Sequence, residues 1–195
     1  MSHYFTNDDK LKSQPVKLVF DHAQHRFHFI SDAGIFSKNH IDHATQLLLK
    51  HLDIAPHQKV LDLGCGYGVI GIVLAKLHKA YVTMSDVNRR ALVLAQENAR
   101  INKTDIKLLE SDGFTHIKDT FDHIVSNPPI RIGKTHLQTL YEEAMHHLNV
   151  SGRLWLVIHK KHGALSTMRF LETLGEVNLI HRSKGIHVIC VRKIN

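Results

Sequence analysis

The sequence contains few cysteines and no long apolar run. Only two cysteines, Cys65 and Cys190, occur in 195 residues, which excludes a disulfide framework, and neither stands in a metal-ligand spacing. No apolar run approaches the length needed to cross a bilayer, and residues 1–12 lack the apolar core of a secretory signal. These absences lead us to expect a cytoplasmic protein with no membrane partner and no metal.

Composition favours one packed domain with a basic surface. Hydrophobic residues make up 43% of the chain, and 195 residues suit a single domain with a substantial core. The net charge is +7, and residues 151–195 carry eight lysines and arginines against two glutamates. A basic surface attracts polyanions, so nucleic acid is one candidate partner, although many basic proteins bind none.

Hydrophobic periodicity alternates between strand and helix along the chain. It predicts strands over 16–20, 26–30, 59–63, 80–85, 106–110, 121–126, 153–159, 177–181 and 186–192, and helices over 41–52, 69–77, 88–101, 135–148 and 164–174. The turn at Lys184-Gly185 is too short for a parallel crossover, so the last two strands must form a hairpin. The remaining alternation predicts an α/β, doubly wound, Rossmann-like sheet that is mostly parallel. Ligands of such folds bind at the carboxyl ends of the strands.

A glycine-rich loop follows the first central strand and allows two interpretations. Gly66-x-Gly68-x-x-Gly71 matches the dinucleotide-binding fingerprint, and Asp86 lies 20 residues after its first glycine. However, the glycines already begin at Gly64, and Asp62 lies in the turn region. A carboxylate there suits a ligand that carries an ammonium group better than a pyrophosphate.

The longer pattern Asp62-x-Gly64-x-Gly66-x-Gly68 resembles the first motif of class I methyltransferases, whose cofactor is S-adenosylmethionine. Asp86 fits either cofactor, because both contain a ribose whose hydroxyls a carboxylate at a strand end can accept. A glycine turn that binds no ligand is the third alternative.

The tetrapeptide Asn127-Pro128-Pro129-Ile130 ends the strand predicted over 121–126. Consecutive prolines stiffen this backbone, which can aim the Asn127 amide oxygen and the Pro128 carbonyl at one point. Two acceptors that hold both N–H bonds of an exocyclic amine favour a pyramidal nitrogen with an available lone pair. Hydride transfer does not require this tetrapeptide. The tetrapeptide therefore favours amino methylation over the dinucleotide-binding alternative.

These motifs together resemble the ribosomal small-subunit guanine-N2 methyltransferase C family, in its catalytic domain. The resemblance rests on Gly34–Lys38, Val60–Gly68, Asn127–Lys134 and Lys184–Val188. It implies a β extension and cofactor-covering loop over residues 1–38 and a class I methyltransferase domain over residues 39–195. It also implies transfer of a methyl group to the 2-amino group of a guanine in 16S ribosomal RNA, with ribosomal RNA or the small subunit as partner.

The resemblance and the motifs assign the candidate site. The catalytic set is Asn127, Pro128, Pro129 and Ile130; the cofactor set is Phe36, Ser37, Lys38, Asp62, Gly64, Cys65, Gly66, Gly68, Asp86, Val87, Asp112, Gly113 and Asn127. Cys65 is interpreted as a packing residue of the loop rather than a nucleophile. Asp112 is either near the adenine amino group or the N-cap of a helix before Phe114. The candidate RNA contacts are Arg131, Lys134, His159, Lys160 and Lys161, for which an ordinary solvated loop is the alternative.

Two comparisons, one with other amino methyltransferases and one with longer family members, bear on the substrate. Related adenine-N6 and protein-glutamine methyltransferases carry an aromatic residue where this chain has Ile130, which disfavours those acceptors. Longer family members also carry a second, degenerate domain that assists RNA binding, and 195 residues are too few to contain it. The competing hypotheses are a methyltransferase of a protein glutamine or a nucleic-acid adenine amino group, and a non-catalytic RNA-binding module on the same fold.

Overall fold

The computed structural model of the protein describes residues 12–129 and 132–194. Its strands are β1 (Val16–His22), β2 (His25–Ser31), β3 (Lys59–Leu63), β4 (Tyr81–Asp86), β5 (Lys107–Glu110), β6 (Phe121–Ser126), β7 (Leu148–His159), β8 (Glu176–Ser183) and β9 (Ile186–Arg192). Its helices are α1 (His43–Leu49), α2 (Val69–His78), α3 (Arg89–Asn102), α4 (Lys134–His146) and α5 (Ala164–Leu171), with a short 3-10 helix at Lys160–His162. None of the described helices is long and apolar enough to cross a bilayer.

Seven strands form one sheet in the order β5-β4-β3-β6-β7-β9-β8. The pairs from β5 to β7 are parallel, whereas β9 runs antiparallel to both β7 and β8. The predicted mostly parallel sheet with a C-terminal hairpin is therefore confirmed. The strand order reverses between β3 and β6, and at such a point the loops leave on opposite faces and open a crevice.

Both faces of the sheet are covered, so the residues of β3, β6 and β9 are buried in continuous runs rather than at alternate positions. Within β3, Val60 belongs to one buried cluster and Leu61 to the other, because successive side chains point to opposite faces. Helices α1, α2 and α3 contribute to the first cluster, and α4 and α5 to the second.

The β1–β2 hairpin packs into the first of these clusters through three phenylalanines. Two buried asparagines of α3 form hydrogen bonds with β2, the second strand of the hairpin. Asn98 pairs with both backbone polar groups of Ile30, and Asn102 pairs with both of His28. The free edge of β2 is thus satisfied by side-chain amides in place of a further strand.

Several element boundaries differ from the prediction, and the start of β7 differs most. The helix predicted over 41–52 covers only His43–Leu49, because the Asp42 side chain accepts a hydrogen bond from the Thr45 amide and caps the helix there. The helix predicted to reach residue 148 ends at His146, and β7 begins at Leu148 rather than residue 153. Leu148 pairs with Phe121 of β6, so a non-local strand contact overrides the helical pattern.

Candidate active site

The carboxyl ends of β3, β4 and β6 meet at the edge of the sheet where the strand order reverses. Around them lies one cleft of about 1040 Å³, whose walls come from the loops after these strands and from α1 and α4. Clefts that bind a single small molecule usually measure ~300–1000 Å³. The cleft is therefore large enough for a cofactor together with part of a second ligand.

The glycine loop presents bare backbone to this cleft. Gly64 and Gly66 both have positive φ angles, +71° and +55°, which side chains rarely adopt. The space where their Cβ atoms would stand is open, so a ligand can approach the main chain closely. The amides of Gly64 and Cys65 both donate to the Ser85 carbonyl at 2.9 Å, which fixes the loop to β4. This shape fits the adenosyl-methionine ligand that the motif implies.

Two further glycines serve packing rather than exposure. Gly68 is the N-cap of α2, with a φ of +92°, and its Cβ position is crowded by Ile72, Ala95 and Met84. Gly71 lies inside α2 directly against the Met84 side chain, where any Cβ would collide. Gly68 is not among the residues that line the cleft, so its predicted cofactor contact stays a prediction.

Asp86 ends β4 and lines the cleft. Its carboxylate accepts hydrogen bonds from the amides of Gly66 at 2.8 Å and Asn88 at 2.9 Å, and from the amide of Val87. Burial nevertheless raises its pKa, since the three donors offset only part of the cost of desolvation. The three bonds hold the carboxylate rigidly and leave a further lone pair for a hydroxyl group of a ligand.

Asp62 does not line the cleft, so its predicted contact with the cofactor stays a prediction. It is 1% exposed and lies behind the glycine loop rather than in the wall of the cleft. Its Oδ2 accepts a hydrogen bond of 2.8 Å from the Gly71 amide, and its Oδ1 has no partner among the described residues. Burial, with a smaller contribution from the Asp86 charge, raises its pKa to about 7. Asp62 therefore anchors α2 to β3 and holds an incompletely satisfied carboxyl beneath the loop.

Asn127 lies in the wall of the same cleft as Gly64 and Gly66. Its side-chain nitrogen donates to Asp42 Oδ2 and to Thr45 Oγ1, each at 3.0 Å. Its Oδ1 accepts no hydrogen bond from the described residues, and neither does the Pro128 carbonyl. By contrast, the Pro129 carbonyl accepts from Ile132 at 3.1 Å. Within residues 12–129 and 132–194, these two oxygens of the turn have no hydrogen-bond donor, and their contact with an acceptor amine stays a prediction.

The segment before α1 covers one side of the cleft. Phe36 and Ser37 line it, and Phe36 is 43% exposed. The Ser37 carbonyl lies 3.5 Å from the Tyr67 hydroxyl, which ties this segment to the glycine loop. The Lys38 ammonium donates to Gln14 at 3.0 Å and does not line the cleft, so a cofactor contact from Lys38 stays a prediction.

Asp112 and Gly113 line the cleft beyond β5. Asp112 does not cap an α-helix, because residues 112–115 form turns in which its carbonyl, not its side chain, accepts from Thr115. The Ser111 hydroxyl stabilises the turn instead, because it donates a hydrogen bond to the Gly113 carbonyl and accepts one from the His116 amide. The side chain of Asp112 is exposed.

The predicted RNA contacts divide into three groups. His159 and Lys161 line the rim of the cleft, where the 3-10 helix follows β7. Lys160 and Lys134 lie beside the cleft but do not line it. Arg131 lies outside the described residues, as does Ile130 of the predicted catalytic set.

Sequence reasoning missed the contribution of α1 and α4. Asp42 and Thr45 from α1, with Thr139 and Glu143 from α4, complete the walls of the cleft. The Asp-x-x-Thr spacing before an apolar run is an N-cap signal that could have drawn attention to Asp42. Within residues 12–129 and 132–194, no group of three histidine, cysteine or acidic side chains is placed to hold a metal ion.

Comparison with known proteins places this geometry in a family. The sequence model of the methyltransferase small domain matches residues 26–190. The uncharacterised protein YbxB of Bacillus subtilis is 39% identical to the chain over 98% of both proteins. The ribosomal RNA small subunit methyltransferase C of Hamiltonella defensa is 40% identical over 64% of this chain, which spans only 38% of that enzyme.

A solved structure has the same fold. The Thermus thermophilus 16S rRNA N2 G1207 methyltransferase, in complex with AdoMet and guanosine, superposes with a TM-score of 0.85 at 25% identity. The match covers 94% of this chain and 52% of that one. The chain thus corresponds to about half of the solved enzyme.

Proposed function

Because the chain belongs to the methyltransferase small domain family, and is thereby an S-adenosylmethionine-dependent methyltransferase, we propose that it methylates the 2-amino group of a guanine in 16S ribosomal RNA. The carrying observation is the orientation of Asn127 in the wall of the cleft. Both of its N–H bonds are bound to protein groups, so its oxygen is the atom left for an acceptor amine.

The cofactor site is proposed on the side of the glycine loop. S-adenosylmethionine supplies a methyl group activated by a positively charged sulfur. Gly64 and Gly66 allow the cofactor to approach the main chain closely, and Asp86 accepts hydrogen bonds from the hydroxyls of the ribose. Phe36 and Ser37 close the other side and limit the access of water.

The acceptor amine is proposed to bind between Asn127 and Pro128. An exocyclic amine on a base is a weak nucleophile, because its lone pair is delocalised into the ring. Hydrogen bonds from its two N–H groups to Asn127 Oδ1 and the Pro128 carbonyl favour a pyramidal nitrogen and fix the direction of the lone pair. Most of the rate then comes from positioning, and a strong general base is unnecessary because the methylated cation is itself acidic.

Guanine in ribosomal RNA is the proposed acceptor for two reasons. The similar Thermus enzyme is named as a guanine-N2 methyltransferase and was solved with guanosine. In addition, cations surround the rim of the cleft. Lys160 and Lys161 are exposed there, and the Lys160 amide donates to the Gly185 carbonyl, which brings the β8–β9 turn with exposed Arg182 and Lys184 to the same place.

These cations are proposed to bind the RNA backbone. In the described part of the chain no salt bridge neutralises Lys160, Lys161, Arg182 or Lys184. Phosphate contacts of this kind supply affinity rather than sequence choice. The chain spans 38% of the Hamiltonella enzyme. We propose that this basic surface binds the RNA without the additional residues of the longer protein. A guanine within a helix would have to be unpaired to enter the cleft.

Methyl transfer to small ribosomal subunits and to naked 16S RNA, followed by nucleoside mass spectrometry, tests the proposal. We expect N2-methylguanosine. N6-methyladenosine, or methylated glutamine in a protein, would contradict guanine as the acceptor.

Two variants test the assignment of one side of the cleft to the cofactor and the other to the acceptor amine. We expect Asn127→Ala to lower kcat about 100-fold, on the scale of one lost transition-state contact, with unchanged cofactor affinity. We expect Asp86→Asn to weaken cofactor binding about tenfold, as one lost hydrogen bond to a charged group implies. Wild-type turnover in Asn127→Ala, or an unchanged cofactor Kd in Asp86→Asn, would overturn the respective assignment; calorimetry measures the Kd and tritiated-methyl transfer measures kcat.

A further inference from the structure

Asn127 is held by two side chains of α1 that no motif predicts. Asp42 Oδ2 and Thr45 Oγ1 each accept one hydrogen of the Asn127 amide at 3.0 Å. Thr45 is 7% exposed, and Asp42 lies in the wall of the cleft. The contact joins residues that are 85 and 82 positions apart in the chain.

The chemistry of a carboxylate determines which way the amide faces. An ionised carboxylate only accepts hydrogen bonds, so it must meet the NH2 group of Asn127 and never its oxygen. A rotation of the amide by 180° would set Asn127 Oδ1 against Asp42 Oδ2 and turn the NH2 group toward the cleft. Two donors would then face each other, the NH2 group of Asn127 and the acceptor amine.

We propose that Asp42 and Thr45 are positioning residues, which act through Asn127 and keep its oxygen directed at the acceptor amine. The inference rests on the proposed function, since it needs an amine that donates to Asn127. The Asp42 charge also polarises the amide, which makes Asn127 Oδ1 a stronger acceptor.

Asp42 has a second role that an experiment must separate from this one. Its Oδ2 also accepts from the Thr45 amide at 3.1 Å and so caps α1. Asparagine caps helices as well as aspartate does, so Asp42→Asn keeps the cap. It loses the acceptor-only group, because its own amide can donate to a rotated Asn127.

Four variants of the full chain, assayed with the substrate established for the wild type, test the proposal. Asp42→Asn is expected to lower kcat roughly tenfold or more, the scale of one charge-assisted hydrogen bond, with unchanged KM for the cofactor and unchanged Tm. Thr45→Val is expected to lower kcat by a smaller factor, and Thr45→Ser, which keeps a hydroxyl, is expected to restore it. Gln46→Ala is the matched control, because Gln46 does not line the cleft and donates a hydrogen bond of 2.8 Å to the Ile41 carbonyl at the same end of α1.

A double-variant cycle shows whether Asp42 acts through Asn127. In an Asn127→Ala background, Asp42→Asn is expected to cause no further loss of residual transfer. The same factor in both backgrounds would mean that Asp42 acts on the ligands directly, and the proposal would be wrong. Wild-type kcat in both Asp42→Asn and Thr45→Val would also overturn it.

A measurement on the cofactor-free protein requires no activity. The two Nδ2 hydrogens of Asn127, identified by their loss in Asn127→Ala, are expected to exchange slowly with solvent in the wild type and in Gln46→Ala. They are expected to exchange faster in Asp42→Asn and Thr45→Val; equal rates in all proteins would contradict the hydrogen-bond assignment. If Asn127→Ala itself retains full turnover, the proposed function fails. If Asn127→Ala loses turnover while neither Asp42→Asn nor Thr45→Val does, only the positioning role fails.

Discussion

The carboxyl of Asp62 is buried beneath the glycine loop and only partly hydrogen-bonded. One of its oxygens has no partner among the described residues, and burial raises its pKa to about 7. An unfolded aspartate has a pKa near 3.8, so the folded state binds the proton more tightly between these values. The contribution of Asp62 to stability is therefore complete below pH ~3.8 and is lost as the pH rises through about 7.

Replacement of Asp62 by asparagine removes this dependence. We expect the free energy of unfolding of Asp62→Asn, relative to the wild type, to increase between pH 4 and pH 8 by up to about 4 kcal/mol. Urea denaturation of the cofactor-free proteins at several pH values measures it. Asp86 titrates in both proteins, so it cancels to first order in the difference. At pH 8, where Asp62 of the wild type is ionised, we also expect Asp62→Asn to bind the cofactor more weakly, because an anion near the cationic ligand is lost.

A difference in unfolding free energy that stays constant from pH 4 to pH 8 would show that Asp62 is not held neutral by burial. Ser85, whose buried hydroxyl also lacks a partner among the described residues, supplies a control that does not titrate in this range. Ser85→Ala is expected to change the free energy of unfolding equally at every pH.

At the residue scale, the sequence predicts the groups that follow strands but not their partners. Asn127 and Asp86 are identifiable because each stands at the carboxyl end of a predicted strand, where such a fold binds ligands. The partnership of Asn127 with Asp42 is not identifiable, because it depends on where α1 packs. The actual position of Asp62, behind the loop instead of facing the cleft, likewise depends on the side to which its carboxyl rotates.

At the scale of elements, α3 serves as the edge partner of the β1–β2 hairpin. Asn98 donates to the Ile30 carbonyl and to the Tyr67 carbonyl at 2.9 Å each, and it accepts from the Ile30 amide at 2.7 Å. Since Tyr67 belongs to the glycine loop, one fully buried side chain links the hairpin, α3 and the cofactor loop.

Asn98→Ala is expected to destabilise the protein by roughly 2–4 kcal/mol, because three backbone groups lose their partner. Denaturant unfolding measures this loss, and Gln96→Ala on the exposed side of the same helix is the matched control. Hydrogen exchange of the Ile30 amide is expected to accelerate more than that of His28, which Asn102 still binds. Equal acceleration of the two amides would mean that the hairpin detaches as a whole, contrary to the independent anchoring described above.

Element order and sheet type follow from the sequence, because alternating apolar runs and the short Lys184-Gly185 turn leave few topologies. Boundaries are less predictable where pairing is non-local. The predicted helix runs to Leu148 and residues 149–152 belong to no predicted element, yet Leu148 pairs with Phe121, and Ser151 adopts a positive φ of 62°. Nothing local in the sequence signals this pairing.

At the scale of the whole molecule, the excess of positive charge is distributed over both ends of the sheet. Lys160 and Lys161 lie at the carboxyl ends of the strands beside the cleft, whereas Lys59 and Lys79 are exposed at the amino ends of β3 and β4. This arrangement offers two pairs of lysines with the same charge but different distances from the site. The role of the rim can thus be separated from the effect of net charge.

The double variant Lys160→Glu/Lys161→Glu is expected to weaken binding of 16S RNA by tenfold or more at moderate salt. It should also reduce the slope of log K against log salt by roughly one to two units, since each lost phosphate contact removes about 0.7–0.9. Lys59→Glu/Lys79→Glu changes the net charge equally and is expected to alter affinity much less, because charges beyond about 8–10 Å are screened at such salt. Filter binding across a salt series compares the two.

The comparison also separates backbone binding from catalysis. If the rim binds phosphates, saturating RNA should restore the kcat of Lys160→Glu/Lys161→Glu, because the reacting amine is held by Asn127 and not by the rim. A kcat that stays low at saturation would mean that these lysines act on the reacting groups. Equal loss of affinity in both double variants would mean that RNA responds to net charge alone, and the rim would then have no special place in substrate binding.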